Sequence, residues 1–203
     1  MKLYYFETPN GRKPCAVAKH LGLPVEFVRL DLSKGEHKRP AFLATNPNGK
    51  IPALEDGEVK LWESNAIMCY LAYKAGSGLW PKDDLAKIDL IRWLNWDTAH
   101  FSRHAGRLFY ERAVKPAFGL GEPNPTEIQD ATGYFAQFAS VLNDHLKGRS
   151  YLVGDGLTVA DFAVAAFLPM AREAQLPLDG CHEVERWHAQ LMELPAWRQP
   201  FPS

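Results

Sequence analysis

The residues best placed to do chemistry are Glu63-Ser64, where the segment running through Ile51-Pro52-Ala53-Leu54, Asp56-Gly57 and Val59-Lys60-Leu61-Trp62 changes its period. After Trp62, the residues Ala66, Ile67, Tyr70 and Leu71 recur at helical spacing, so Ser64 opens a helix. Free backbone N–H groups and the helix dipole make such an N-terminus a site for an anionic guest. A second polar cluster, Thr8-Pro9-Asn10-Gly11-Arg12-Lys13, combines a hydroxyl and an amide with residues that also favour a turn for its own sake. Cys15, Cys69 and Cys181 form neither a disulfide framework nor a Cys-x-x-Cys pair. The seven histidines show no clustered ligand spacing with cysteine or carboxylates, so no metal is expected.

An extended segment and a hairpin must position Ser64. Pro52 biases Ile51 towards extended geometry, and Asp56-Gly57 between apolar-alternating runs signals a hairpin. Upstream, Leu3 to Phe6 reads as a first strand. Pro14 fits the first turn of a helix carrying Val17, Ala18 and Leu21 and stopped by Gly22. Val25 to Leu32 reads as a second strand. Strand, helix and strand within about thirty residues imply a parallel pair with a crossover helix. Residues 34–45 are polar and irregular or briefly helical.

Gly76-Ser77-Gly78-Leu79-Trp80-Pro81 breaks the pattern. The expected division is residues 1–78, a linker over 79–84, and an all-helical part over 85–203. In the helical part, Leu85, Ile88, Ile91 and Leu94 step by three residues, and Ile128, Ala131, Phe135, Phe138, Leu142 and Leu146 form a stripe stopped by Gly148. In Leu157-Thr158-Val159-Ala160-Asp161-Phe162, Thr158 and Asp161 match a capping box with Asp in place of Glu, and Leu157 and Phe162 match a hydrophobic staple. Its role is folding.

Asn46-Pro47-Asn48-Gly49-Lys50-Ile51-Pro52-Ala53-Leu54 followed by Trp62-Glu63-Ser64-Asn65-Ala66-Ile67 resembles the glutathione-binding half of the soluble glutathione transferases. The Thr-x-x-Asp helix start resembles that family's buried capping box in the second domain. The resemblance implies an N-terminal thioredoxin-like α/β domain, in the order β-α-β-α-β-β-α, followed by an all-helical domain. It further implies that Pro52 is cis, that the Ile51 backbone binds the cysteinyl part of glutathione, and that Glu63 and Ser64 bind its γ-glutamyl end. In theta-like members a His after the second strand and the Lys before Ile-Pro contact the glycine carboxylate, which points to His37 and Lys50.

A transferase of this kind uses the thiol of glutathione as nucleophile. Free, its pKa is ~8.5, and lowering it by about two units needs ~3 kcal/mol of preferential thiolate binding. One or two hydrogen bonds from a hydroxyl, an amide or a helix N-terminus can supply that. Thr8-Pro9-Asn10-Gly11-Arg12-Lys13 is similar to the loop of the bacterial Nu-class enzymes and of yeast prion-type relatives, which implies Thr8 and Asn10 as the sulfur's partners. Tyr4 and Tyr5 lie in the strand instead of after it. Cys15 is a rival for a redox role, set one turn into an apolar helix. A second-substrate pocket is expected from Phe101, Arg103, Arg107 and Tyr110, with Arg103 and Arg107 suited to a second anion.

Composition is that of an ordinary globular protein: 46% of the 203 residues are hydrophobic, 23% are charged and the net charge is −1, with no basic excess for nucleic acid or membranes. The three scattered cysteines make a reducing, cytoplasmic location the expectation. The expected activity is glutathione transfer to a small hydrophobic electrophile in detoxification. Glutathione-dependent disulfide reduction, isomerisation or dehalogenation, and non-catalytic glutathione binding on the same fold are the alternatives. The resemblance also implies a homodimer.

Overall fold

A computed structural model of the chain describes residues 1–202. These residues form two compact units, Met1–Lys82 joined by the chain from Leu191 onward, and Asp83–Gln190. The last residues thus cluster with the first unit, a long-range packing that local periodicity does not encode.

The first unit is built on a four-stranded sheet in the order β2-β1-β3-β4, with β1 (Lys2–Tyr5), β2 (Glu26–Arg29), β3 (Ala53–Asp56) and β4 (Val59–Trp62). β1 and β2 run parallel; β1–β3 and β3–β4 are antiparallel. Leu3 and Tyr5 of β1 and Ala53 and Leu54 of β3 supply buried side chains. Packed with the sheet are α1 (Pro9–His20), the single turn α2 (Pro40–Leu43), α3 (Ser64–Lys74) and, from the end of the chain, one further short helix given below. This is the thioredoxin-like arrangement expected from the motifs.

α1 differs from expectation in where it starts. Pro9, not Pro14, occupies its first turn, and the Thr8 side chain caps it by accepting from the Gly11 N–H at 3.1 Å. A Ser/Thr cap with Pro at the first helical position outcompetes a start five residues later, because the cap satisfies a donor that would otherwise be orphaned. Thr8–Lys13 is therefore a helix start instead of a free loop.

The second unit is helical. α4 (Asp84–Trp96), capped by Asp83, passes through a π turn at Asp97–Phe101 into α5 (Ser102–Phe109), and a second π turn at Tyr110–Val114 leads into α6 (Lys115–Phe118). There follow α7 (Pro125–His145), α8 (Val159–Val164), α9 (Ala171–Ala174) and α10 (His182–Met192); α11 (Pro195–Arg198) belongs to the first unit. α8 begins with the expected capping box. Its Asp161 is fully buried and accepts from Leu152 N (3.0 Å), Thr158 N (2.9 Å), Thr158 Oγ1 (3.1 Å) and Trp187 Nε1 (3.1 Å). Among the described residues no helix is long and apolar enough to cross a membrane.

Candidate active site at one end of the sheet

Register brings the chemistry-bearing segments together. Tyr4 pairs with Ala53, and Ala53 pairs with Trp62. The chain leaving β1 towards Thr8, the chain entering β3 through Ile51-Pro52, and the chain leaving β4 into Glu63-Ser64 therefore meet at one edge of the sheet. β2 joins them, since Tyr5 pairs with Arg29 and the chain beyond it leads to His37.

Thr8 is half-buried with its oxygen committed as an acceptor to Gly11 N; its own proton has only the distant Phe6 carbonyl, 3.4 Å away. That hydroxyl can swing to a better acceptor. Asn10 is exposed, and its amide makes no hydrogen bond among the described residues. A weakly held hydroxyl at the cap and an exposed amide within the first turn are thus the donors that the start of α1 offers, beside its unpaired N–H groups. The tyrosines of β1 are not available. Tyr4 donates to Glu55 Oε2 at 3.0 Å, and burial with that carboxylate pushes its pKa up to about 12. Tyr5 is buried, which raises it too.

The Ile51–Pro52 bond is cis. Asn46, buried and missed by the sequence reading as a functional side chain, shapes the turn before it. Its Nδ2 donates to Lys50 O at 2.6 Å, and its Oδ1 accepts from Asn48 N at 3.0 Å. Gly49 is required twice over. It sits at φ +57°, and a Cβ there would lie 3.1 Å from His37 O and 2.9 Å from Lys38 Nζ. This close approach holds the His37 segment against the Lys50 turn. His37 Nδ1 is buried without a partner among the described residues, and Lys50 is exposed.

Ser64 is the first residue of α3 and buried, as the change in periodicity predicted for the helix start. Glu63 precedes it at φ 70°, ψ 115°, exposed and with no side-chain capping bond. A non-glycine residue held there is strained by about 1–3 kcal/mol, and such strain collects at functional sites.

Cys15 is fully buried, and burial pushes its thiol to about 12; Cys69 is raised to about 12 for the same reason. Buried thiols of this kind are small hydrophobes, not nucleophiles.

Within the helical unit, Arg103, Arg107 and Tyr110 share a groove of about 350 Å³ with His104, Glu127 and Tyr134. Arg107 is already paired, 3.2 Å from Glu127 and 3.9 Å from the buried Glu111, so its charge is spent internally. Arg103 is exposed and has no ion pair among the described residues. Phe101 does not line the groove. It is fully buried, 4.7 Å from the Phe135 ring and stacked 5.6 Å from Trp96, on the core side of the helix. The helical period carries it there, since Phe101 follows the buried Leu94 by seven residues and Leu90 by eleven, both within about 20° of the same face. Among the described residues no group of histidine, cysteine and carboxylates could hold a metal.

Comparison with known proteins gives consistent matches. The family model described as glutathione S-transferase, N-terminal domain, matches residues 1–73, and that of the C-terminal domain matches residues 105–195. Glutathione S-transferase 3 of Zea mays is 36% identical over 98% of the chain and 92% of its own length. The solved structure of glutathione S-transferase III in apo form superposes with a TM-score of 0.85 at 33% identity, covering 100% of this chain and 98% of that one. A glutathione transferase of Pseudomonas putida, solved with glutathione disulfide bound, has a TM-score of 0.88 at 25% identity over 98% of this chain and 89% of its own. The highest identity of the three belongs to a plant enzyme, so a bacterial, Nu-class placement rests on the Thr8–Lys13 segment alone.

Proposed function

The chain belongs to the soluble glutathione transferase family, and from that premise we propose that Thr8 and Asn10 hold the thiol of glutathione as thiolate for attack on an electrophilic carbon or a disulfide sulfur. Glutathione is the co-substrate. The observation that carries the reading is the strand register, with Tyr4, Ala53 and Trp62 abreast, which gathers three segments at one edge of the sheet. Ile51, ahead of cis Pro52, offers backbone groups to the cysteinyl part. Glu63 and Ser64 take the ammonium and carboxylate of the γ-glutamyl end. His37 and Lys50 take the glycine carboxylate. The loop's likeness to the Nu class, together with the Pseudomonas putida relative solved with glutathione disulfide, favours disulfide reduction as a second activity of the same thiolate. Its exchange would pass through a mixed disulfide of glutathione with the substrate and needs no protein cysteine. Arg103 and Tyr110 contribute to a second-substrate pocket, and the cell compartment is the cytoplasm.

The test is titration of the bound thiol near 240 nm in wild type, Thr8→Ala and Asn10→Ala. A hydrogen bond to a charged acceptor is worth ~1.5–3 kcal/mol, so each substitution should raise the thiol pKa by about 1–2 units. Turnover should fall by less than the thiolate population does. Each unit removes about tenfold of the thiolate below the pKa but makes the remainder about threefold more nucleophilic. The expected net loss at pH 6.5, where a thiol lowered by about two units is half ionised, is about 2- to 6-fold, and the order reverses by about pH 9, where the more basic thiolates are also ionised. A wild-type thiol that titrates at its free value would instead mark a binding protein without catalysis.

A homodimer is part of the same proposal. On α4, Leu85, Ile88 and Ile91 are 76%, 63% and 45% exposed and lie at i, i+3 and i+6, while Leu90, Trp93 and Leu94 face the core. A contiguous apolar stripe on a helix is more than scattered surface hydrophobics account for. Ile88→Glu should convert a dimer to a monomer in light scattering without loss of helix content. A wild type that is monomeric at micromolar concentration would sink this part.

A further inference from the structure

The proposed thiol-activating turn is not held by its own helix alone. We propose that the C-terminal segment, gripped through Arg12, positions that turn, which makes Arg12 a positioning residue for the reaction; this rests on the roles assigned above to Thr8 and Asn10.

Three grips fasten the segment to the elements that carry the turn. Arg12 Nη1 donates to Trp197 O at 2.5 Å, and its guanidinium lies 5.1 Å from the centroid of the Trp197 ring. Trp197 is fully buried, so the anchor is rigid. Lys19, in the last turn of α1, donates to Gln199 O at 2.6 Å and Phe201 O at 3.1 Å. Tyr5, the last residue of β1, stacks on Phe201 with ring centroids 5.8 Å apart and planes within 12°. The segment therefore clamps both ends of α1 and the strand end from which Thr8 departs.

The chemistry explains why these grips suit the position. The last carbonyls of a helix have no intrahelical partner and carry partial negative charge, and Trp197 O lies in the last turn of α11. A planar guanidinium can bond that carbonyl and cover the indole at once, which an ammonium cannot do. Arg12 follows Asn10 by two residues, and its N–H bonds Thr8 O at 2.9 Å. Fixing the guanidinium thus fixes the turn that bears both donors. Donors to a thiolate are useful only if held to within about 0.5 Å of their productive places.

The experiment compares Arg12→Met, Arg12→Lys and Phe201→Leu with Asn10→Ala, reading the bound-thiol pKa, the pH–rate profile, and kcat separately from the KM for glutathione. Arg12→Met keeps the aliphatic stem but removes both contacts. It should raise the thiol pKa by about one unit, which is about threefold less thiolate at about pH 7 for a wild-type thiol lowered by about two units, and move the rising limb of the pH–rate profile to higher pH. The KM should stay within about twofold, because Arg12 would act on the thiol end and not on the γ-glutamyl end. Arg12→Lys should fall between Arg12→Met and wild type. Phe201→Leu loosens the distal grip alone and should shift the pKa in the same direction by less, which keeps the idea testable if Arg12→Met folds poorly. An unshifted thiol in Arg12→Met and Phe201→Leu, alongside a shifted one in Asn10→Ala, overturns the positioning role and leaves the proposed function standing. An unshifted thiol in all of them, Asn10→Ala included, overturns both.

Discussion

Asp161→Ala is expected to remove about 3–5 kcal/mol of stability. The carboxylate is fully buried and each of its oxygens accepts twice: Oδ1 from Leu152 N and Trp187 Nε1, Oδ2 from the Thr158 amide and hydroxyl. Burial pushes its pKa up, and those same hydrogen bonds pull it back. Truncation leaves three N–H donors buried and unmatched, at ~1–3 kcal/mol each before relaxation. Asp161→Asn keeps the shape but turns an NH2 towards one pair of donors, so most of the loss should remain. Thr158→Ala loses only a cap and should cost ~1 kcal/mol. Urea titration followed by tryptophan fluorescence separates these values. Equal losses for Thr158→Ala and Asp161→Ala would mean that the network through Leu152 and Trp187 contributes nothing.

The part of this network that local sequence reveals is the pair Thr158 and Asp161, because a capping box is a pattern four residues long. Leu152 and Trp187, 9 and 26 residues away from Asp161, leave no such pattern. The same division runs through the rest of the chain. The hairpin at Asp56-Gly57 and the opening of α3 at Ser64 follow from local rules and are found where expected. The start of α1 was misplaced by five residues because two prolines, Pro9 and Pro14, both satisfy the rule for a first turn, and only the Thr8 cap decides between them. The spacing of Leu85, Ile88 and Ile91 announces a helix but not which side faces inward; the inward side is that of Leu90, Trp93 and Leu94. The C-terminal segment is illegible for a stronger reason. A packing between residues 180 apart in sequence depends on tertiary contacts.

Ser64→Ala is expected to raise the KM for glutathione about 10- to 100-fold while leaving kcat within about twofold. The hydroxyl is buried at the first residue of α3, where the helix N–H groups already favour an anion. The carboxylate it is proposed to hold does not change during the reaction, and uniform binding of this kind appears in KM alone. The residue before it makes the sharper case. Glu63 has φ 70° and ψ 115°, and its side chain caps nothing. Its carbonyl accepts the first bond of α3 from Ile67 N at 3.0 Å, which holds the strained backbone in place. Glycine adopts such a conformation freely, so Glu63→Gly should stabilise the fold by about 1 kcal/mol. The same change removes the carboxylate proposed to meet the γ-glutamyl ammonium, so glutathione should bind at least about tenfold more weakly. Stability and binding must move in opposite directions in this one variant. Urea midpoints and glutathione titrations measured together decide it. A variant that is more stable and binds as well as wild type would show that the strain at Glu63 serves something other than glutathione.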